Sequence, residues 1–263
     1  MKIAVIGAGE MGGAFAEGLL KGSIFNPADV TVANRHEGKL TKFAAMGASV
    51  TTDNKAAVQG ADYVVIVVKP GVVKTVIDEI NPLLDYSRQS VLNMAASITL
   101  EQLHAWLERG NKVPHLFQVL PNVGIAEKAS MTFIAPEDPE DTLLPQVDKI
   151  FADLGQTMLT DEKMLIAGTA LSGCGIAFAM RYVRAASEAG VELGFGANQA
   201  KDIVLQTLQG AVNLLKATGK HPEAAIDMVT TPGGMTIRGL NAMERNGFTN
   251  AVIEGVKGTL KKQ

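Results

Sequence analysis

Lys2-Ile3-Ala4-Val5-Ile6-Gly7-Ala8-Gly9-Glu10-Met11-Gly12 is the stretch on which the reading of this chain turns. Lys2–Ile6 is a short apolar run of strand character, and a helical pattern runs from Met11 to Lys21. Between them the glycines keep Gly-x-Gly-x-x-Gly spacing. That spacing alone says little. Set between a strand and a helix, it is the fingerprint of a dinucleotide-binding turn. Gly7 permits the tight turn, Gly9 lets a pyrophosphate approach the backbone, and Gly12 allows the helix to pack close to its strand. A purely structural glycine turn is the plainer alternative. Glu10 and Met11, inside the fingerprint, are counted with the glycines as cofactor-binding residues.

Further along, strands and helices alternate. Strands are expected at Val30–Ala33, Ala48–Thr51, Tyr63–Val68, Ser90–Met94, His115–Leu120, Met131–Ile134 and Gln156–Leu159. Helices are expected at Glu37–Met46, Asn54–Gln59, Leu100–Leu107 and Asp141–Leu154. Tyr63–Val68 is almost wholly aliphatic, as a parallel strand buried on both faces should be. The alternation predicts an α/β domain, a Rossmann-like doubly wound parallel sheet, over residues 1–160. Beyond Thr160 only helical periodicity remains, and residues 161–263 read as an all-α domain for substrate binding and dimerisation. Its helices are placed at Glu162–Leu171, Ile176–Leu193, Ala197–Thr218, Pro222–Met228, Pro232–Asn246 and Phe248–Lys261, punctuated by the glycine-rich segment Ser172–Gly175 and two others. So small a helical domain is expected to complete its core against a second copy.

The cofactor end carries its own detail. An NAD enzyme usually places Asp or Glu after the second strand to hold the ribose hydroxyls. This chain has Asn34-Arg35-His36 there. Arg35 can pair with a 2′-phosphate through its planar fork, and Asn34 can bond a ribose hydroxyl, so NADP is favoured over NAD. Val68-Lys69-Pro70 ends the fourth strand, where ligands bind in such sheets; Lys69 either lies near the nicotinamide ribose or caps the strand end. Ala95 and Ala96, after the next strand, leave room for a nicotinamide ring. Leu120-Pro121-Asn122 ends another strand beside the same crevice.

Near the other end, Asp227–Leu240 suggests an anion-binding corner. Thr230 and Thr231 can cap a helix and Pro232 suits its first position. Gly233, Gly234 and Thr236 then leave the first turn almost bare, with free backbone N–H groups for a carboxylate or phosphate. An ordinary capped helix with two tolerated glycines is the alternative.

Composition narrows the class. The chain has 263 residues, 47% of them hydrophobic and 5% aromatic, with a net charge of −3. It is well supplied with core residues and has no basic run, so neither nucleic acid nor an anionic membrane is an expected partner. Cys174 is the only cysteine and His residues number four, which makes a disulfide or a zinc site an unexpected feature. No run of about 18 uncharged apolar residues suggests a membrane span. Met1 leads straight into a strand with no signal peptide, so a cytoplasmic location is expected. Lys257, Lys261 and Lys262 are read as decorating a helix C-terminus.

Taken together, the motifs resemble those of the pyrroline-5-carboxylate reductases over nearly the whole chain. The matching segments are Gly7–Gly12, Val68–Pro70, Leu120–Asn122, Ser172–Gly175 and Asp227–Leu240, continuing loosely through Glu244, Gly247 and Phe248. The resemblance implies reduction of 1-pyrroline-5-carboxylate to proline with NAD(P)H, and an intertwined dimer through the helical half, assembled into decamers in some members. It implies that the fingerprint glycines bind pyrophosphate, that Asn34 and Arg35 meet the adenosine ribose, and that Ala95 and Ala96 lie under the nicotinamide. It further implies that Ser172, Cys174, Thr231, Gly233, Gly234, Met235 and Thr236 bind the substrate, a small cyclic imine carboxylate. Thr236, with its hydroxyl toward the carboxylate, is the candidate catalytic residue.

The chain also departs from the family pattern. In the corner, Thr231 stands for a serine and Met235 for a threonine. The Ser-Gly-Ser-Gly-Pro segment reads Ser172-Gly173-Cys174-Gly175-Ile176, and Arg181 replaces a threonine that some members carry. Met-Pro-Asn-Thr, usually preceded by arginine, reads Gln118-Val119-Leu120-Pro121-Asn122-Val123. A reductase of another cyclic imine therefore stays open beside the family reaction, as does an NADP-binding regulator without turnover. A hydroxyacid dehydrogenase is disfavoured, because Ala179 occupies the place of its catalytic lysine. Hydride transfer to an imine needs little acid–base machinery, and His104, His115 and His221 are expected to lack partners. Cys174, between glycines, is read as packed rather than nucleophilic.

Overall fold

The apolar runs pair into one eight-stranded sheet. In chain order the strands are β1 (Ile3–Ile6), β2 (Val30–Ala33), β3 (Ser49–Thr51), β4 (Tyr63–Ile66), β5 (Ser90–Asn93), β6 (His115–Leu120), β7 (Ser130–Pro136) and β8 (Gly155–Leu159). Their spatial order is β3-β2-β1-β4-β5-β6-β7-β8. The order reverses between β1 and β4, and that switch point is where such sheets bind ligands, at the carboxyl ends of the strands. The computed structural model describes residues 1–260.

The helices of this half are α1 (Glu10–Lys21), α2 (Thr41–Ala45), α3 (Asn54–Val58), α4 (Pro70–Ile80), α5 (Leu100–Leu107), α6 (Leu144–Ala152) and α7 (Glu162–Gly168). Strand alternation divides the core between the two faces of the sheet. Ile3 and Val5 join Phe15 and Leu19 of α1 and Phe151 of α6. Ala4 and Ile6 join Ile77 and Ile80 of α4 and Leu103 and Leu107 of α5. Phe15 and Phe151 stack with ring centroids 5.4 Å apart.

The sheet departs from the all-parallel expectation in its last two strands, β7 and β8, which run opposite to the other six. β7 pairs antiparallel with β6, with Phe117 opposite Pro136, while β8 returns parallel to β7. The helix α4 is an element the sequence reading did not place. Pro70 sits in its first turn after the Lys69 N-cap, and Val73, Val76, Ile77 and Ile80 bury one face. The helix expected at Glu37–Met46 is split into a 3₁₀ turn, Glu37–Lys39, and α2.

Residues 1–173 form one compact unit and residues 174–263 a second. The glycines of Ser172–Gly175 do not interrupt the helical run, contrary to expectation. α7 passes through a π-helical turn, Thr169–Cys174, into α8 (Gly175–Glu192). By length and composition alone the run Glu162–Glu192 could cross a membrane, its most apolar 18-residue window having a mean hydropathy of 1.5. That window tolerates charge, whereas the sequence reading asked for an uncharged run, and Lys163 and Arg181 bound the uncharged stretch.

The second unit continues with α9 (Ala197–Thr218), α10 (Pro222–Met228), α11 (Met235–Arg245) and α12 (Phe248–Gly258). Lys257 lies in the last turn of α12; Lys261 and Lys262 lie outside the described residues. α8 meets α9 closely, for a Cβ on Gly190 would fall 2.8 Å from that of Ala200. Ala200 is the one fully buried residue of α8–α12 among those described. Phe178, Met180, Ile203 and Leu205 are all exposed. As a lone copy, this unit has almost no core.

Candidate functional site

The phosphate turn is built by backbone contact. Gly7 adopts φ +110, and a Cβ there would lie 2.2 Å from the Val67 carbonyl oxygen. Its N–H donates to the Ala33 carbonyl at 2.8 Å, tying the turn to the end of β2. A Cβ on Gly12 would lie 2.0 Å from the Gly7 carbonyl oxygen, so α1 can approach only as glycine. Gly9 differs: it caps α1 with no side-chain bond, and a Cβ there would meet nothing within 4 Å. Open space therefore faces the free N–H groups of the helix start, which is where a pyrophosphate fits. Glu10 is exposed in that first turn, and Met11 packs its side chain against the core.

A cavity of about 340 Å³ extends from this turn along the carboxyl ends of β1, β2 and β4. Gly7, Gly9, Asn34, Arg35, Val68 and Lys69 all line it, as expected of a cofactor cleft. The sequence reading missed His36, Lys39, Asn54, Val72 and Val76 in the same wall. Lys39, four residues after Arg35, was legible as a second cation on the same turn, while the two valines belong to the unplaced α4. The cleft thus has three basic side chains at one end and an apolar slot beside them, the chemistry of a phosphorylated ribose next to a purine.

Asn34 lines the cleft and also makes structural bonds. Its Oδ1 accepts from Ala8 N–H at 3.3 Å and its Nδ2 donates to the His36 carbonyl at 3.0 Å. It clamps the phosphate turn to the loop after β2. Arg35 is exposed, and its Nε donates to His36 Nε2 at 3.1 Å. Lys69 is the N-cap residue of α4 and also lines the cleft. Pro70 follows in the first turn of α4. Ala95 is buried and Ala96 exposed just beyond β5.

At the end of β6, Asn122 donates from Nδ2 to Ser172 Oγ at 2.9 Å, and Ser172 Oγ donates to the Met131 carbonyl at 3.1 Å. Two motifs fifty residues apart in sequence thereby meet. Cys174 is half-buried and caps α8 without a side-chain bond.

In the second unit the expected helix start moves. α11 begins at Met235, with Gly234 as its cap. Thr231–Gly234 form a turn closed by Gly234 N–H to the Thr231 carbonyl at 3.0 Å, and Gly233 takes φ +69. Proline second and a left-handed glycine third is the type II pattern. The threonines do not cap α11. Thr230 instead donates its hydroxyl to the Ile226 carbonyl at 2.7 Å. No side chain among the described residues caps α11, and Met235 is 83% exposed. The N–H groups of Met235, Thr236 and Ile237 open the helix with the dipole behind them.

The histidines do have partners. His104 Nδ1 pairs with Glu137, and His115 Nδ1 meets Asp141 at 2.8 Å. His221 caps α10 by accepting from Glu223 N–H. None of the three lines the cleft.

Comparison with known proteins settles the family. Residues 162–263 match the family model described as pyrroline-5-carboxylate reductase dimerisation. Residues 2–97 match the model described as NADP oxidoreductase coenzyme F420-dependent. A pyrroline-5-carboxylate reductase of Methanosarcina acetivorans is 33% identical, over 96% of this chain and 94% of its own. The chain belongs to the pyrroline-5-carboxylate reductase family. Its reaction is the one the family name states, a reduction of pyrroline-5-carboxylate. It is 35% identical to pyrroline-5-carboxylate reductase 1 of Dictyostelium discoideum, covering 97% of this chain but spanning only 48% of that protein. The solved 1-pyrroline-5-carboxylate reductase of Streptococcus pyogenes aligns with a TM-score of 0.84 at 27% identity, over 98% of this chain and 96% of that one. A Plasmodium falciparum pyrroline carboxylate reductase with NADP bound aligns at 0.88 and 23% identity, over 98% and 95%; that likeness is one of fold.

Proposed function

We propose that this chain reduces the C=N bond of 1-pyrroline-5-carboxylate to give L-proline, with NADPH preferred over NADH. The observation that carries the proposal is the uncapped start of α11, whose bare Gly233–Thr236 segment offers backbone donors to a carboxylate. A redox-silent NADP-binding protein has no need of such a corner. The cofactor cleft supports the rest. Gly7, Gly9 and Gly12 shape the pyrophosphate turn, Arg35 meets the 2′-phosphate, and Lys69 lies along the same wall. The bound dinucleotide supplies the hydride that adds to the imine carbon.

The chain's own residues bind and orient. Backbone N–H groups of Met235, Thr236 and Ile237 hold the substrate carboxylate, the Gly234 N–H being used in closing the turn, and the Thr236 hydroxyl adds a further donor; Ser172, Cys174 and Thr231 line the substrate side. A fixed carboxylate orients the ring, and orientation of the reacting groups lowers the barrier to such a transfer. The apolar exposed faces of α8 and α9 support a homodimer through the helical region, the part matched by the dimerisation model. Arg184 and Glu188, paired at 2.7 Å, interrupt the α8 surface and favour a second copy over lipid as its cover. A cytoplasmic place fits a chain with a single cysteine.

The test is NADPH oxidation by the purified protein with 1-pyrroline-5-carboxylate, beside its six-membered homologue and an NADH control. Turnover of the five-membered ring with NADPH, and a raised substrate KM in Thr236→Val with NADPH binding unchanged, are expected. Turnover of the six-membered ring alone would assign a different imine. A Thr236→Val variant with wild-type KM and kcat would remove the hydroxyl from the carboxylate site.

A further inference from the structure

We propose that the buried amide pair Asn93 and Gln118 is a positioning device for the nicotinamide, acting through the Ala95–Ala96 step at the end of β5. The inference rests on the reading that this step lies beneath the nicotinamide ring. Asn93 and Gln118 are register partners on neighbouring parallel strands. Their exposures are 0% and 2%. Buried amides persist only when their hydrogen bonds are made, and these two direct theirs at one place. Gln118 Oε1 accepts from Asn93 Nδ2 at 2.8 Å. Gln118 Nε2 and Asn93 Nδ2 each donate to the Ala95 carbonyl at 3.0 Å. Asn93 Oδ1 accepts from Ala95 N–H at 3.3 Å.

The sheet does not need this pair for cohesion, because the ladder between β5 and β6 is already complete from Ser90 to Asn93. An apolar pair would pack there without the cost of desolvating two amides. The amides act instead on a single residue, Ala95, gripping the carbonyl of one of its peptide groups and the N–H of the other. Ala96, the next residue, is exposed. Ser97 then takes φ +67, the left-handed region that a non-glycine residue rarely occupies. Residues in such conformations persist where the surrounding structure determines them, and here the clamp on Ala95 supplies that determination. The step is therefore fixed in height and tilt at the carboxyl end of the sheet, where ligands of this fold lie. Gln118 and Ser97 also line a common cavity of about 340 Å³, so the clamp borders open space rather than solid core. A shelf held in this way governs how the ring is presented for hydride transfer more than how tightly the whole dinucleotide binds.

The experiment compares Gln118→Leu with the wild type, and with Gln118→Met as a second variant that fills similar volume without an amide. NADPH binding is titrated by nicotinamide fluorescence, kcat is measured with 1-pyrroline-5-carboxylate, and the primary isotope effect is measured with 4-deuterated NADPH. The expected result is a fall in kcat of about tenfold or more, since small misplacements of reacting groups are costly. The isotope effect should rise, while the Kd for NADPH stays within about twofold. A variant that is merely less stable loses active protein but keeps the wild-type isotope effect. Unchanged kcat and isotope effect in both variants would overturn the proposal. Ala96→Leu separates this from failure of the underlying reading. It should weaken NADPH binding and leave 2′,5′-ADP, which lacks the nicotinamide, unaffected. If Ala96→Leu binds NADPH normally, the ring lies elsewhere and both inferences fall. If Ala96→Leu weakens NADPH while the Gln118 variants are silent, only the positioning role falls.

Discussion

Replacing Arg35 with alanine should separate the two cofactors. Arg35 lies at the basic end of the cleft with His36 and Lys39, and its Nε makes one bond, to His36. Its removal strands no buried group, so the fold should hold. A 2′-phosphate carries roughly −1.5 to −2 charges, as other phosphate monoesters do. A hydrogen bond to a charged group is worth about 1.5–3 kcal/mol. Arg35 is exposed and screened, so the low end applies to one bond and the upper end to a bidentate contact. At 1.4 kcal/mol per decade, Arg35→Ala should weaken NADPH about 10- to 150-fold and leave NADH within about threefold. The assay is fluorescence titration with both cofactors at low and high salt, and the NADPH loss should shrink as salt rises. Asn34→Ala provides the contrast. Its side chain clamps the phosphate turn that both cofactors share, so both should weaken together. Equal losses of NADPH and NADH in Arg35→Ala, or an undiminished NADPH affinity, would refute this placement of the phosphate.

Three further outcomes follow from local geometry. Thr99→Ala removes the capping box of α5, in which Thr99 accepts from Gln102 N–H at 3.1 Å, and should cost about 1 kcal/mol of stability in urea unfolding. Asp153→Asn should destabilise by about 1–3 kcal/mol at neutral pH. Burial pushes the Asp153 carboxyl up, but donation from Ser23 N–H and Oγ and the Lys128 charge outweigh it, and its pKa is lowered from 3.8. A lowered carboxylate stabilises the fold fully above the unfolded value, so the gap between variant and wild type should close as pH falls below about 3.8 toward the folded value. A gap that is constant from pH 7 to 3 would exclude this linkage. Gly12→Ala places a Cβ 2.0 Å from the Gly7 carbonyl oxygen; it should displace the phosphate turn and weaken NADPH and NADH alike in the same titration.

The core of the fold was legible because it rests on alternation and on glycine spacing, and both are local. β1, β4 and α1 fall where apolar runs and the fingerprint place them. The direction of β7 is a different kind of information. An apolar run looks the same whichever way it points. The direction was written in the connection: Pro121–Ala129 is shorter than the dozen or so residues a parallel crossover needs, so the strand had to return antiparallel. α4 was also readable, since Val73, Val76, Ile77 and Ile80 keep helical spacing after Pro70. The Val68–Pro70 motif drew attention to the strand end and away from what it starts. Gly233 shows a true ambiguity. Proline followed by glycine suits a first helical turn or a type II turn, and the two differ in the ψ of the proline and the φ of the glycine. Gly233 takes a φ of +69, the turn alternative. The partners of His104 and His115 were invisible for the usual reason: Glu137 and Asp141 come to them through the sheet, not through the sequence.

The geometry also orders the departures from the family pattern by consequence. A corner that binds an anion through backbone N–H groups asks little of its side chains. Met235 stands where the pattern has threonine, yet it is 83% exposed and contributes an N–H that any residue except proline supplies. Thr231 for serine keeps both the hydroxyl and the carbonyl that closes the turn on Gly234. Gly233 and Gly234 have no such freedom. The first holds a left-handed φ, and a Cβ on the second would lie 2.4 Å from Thr231 Oγ1. The corner therefore survives its two substitutions because they fall on the positions where only the backbone matters. Gln118 is the opposite case. It is buried, all its recorded bonds go to Asn93 and Ala95, and no backbone group can take its place. Changes in how this chain handles its substrate should be sought beside Gln118 rather than at Met235.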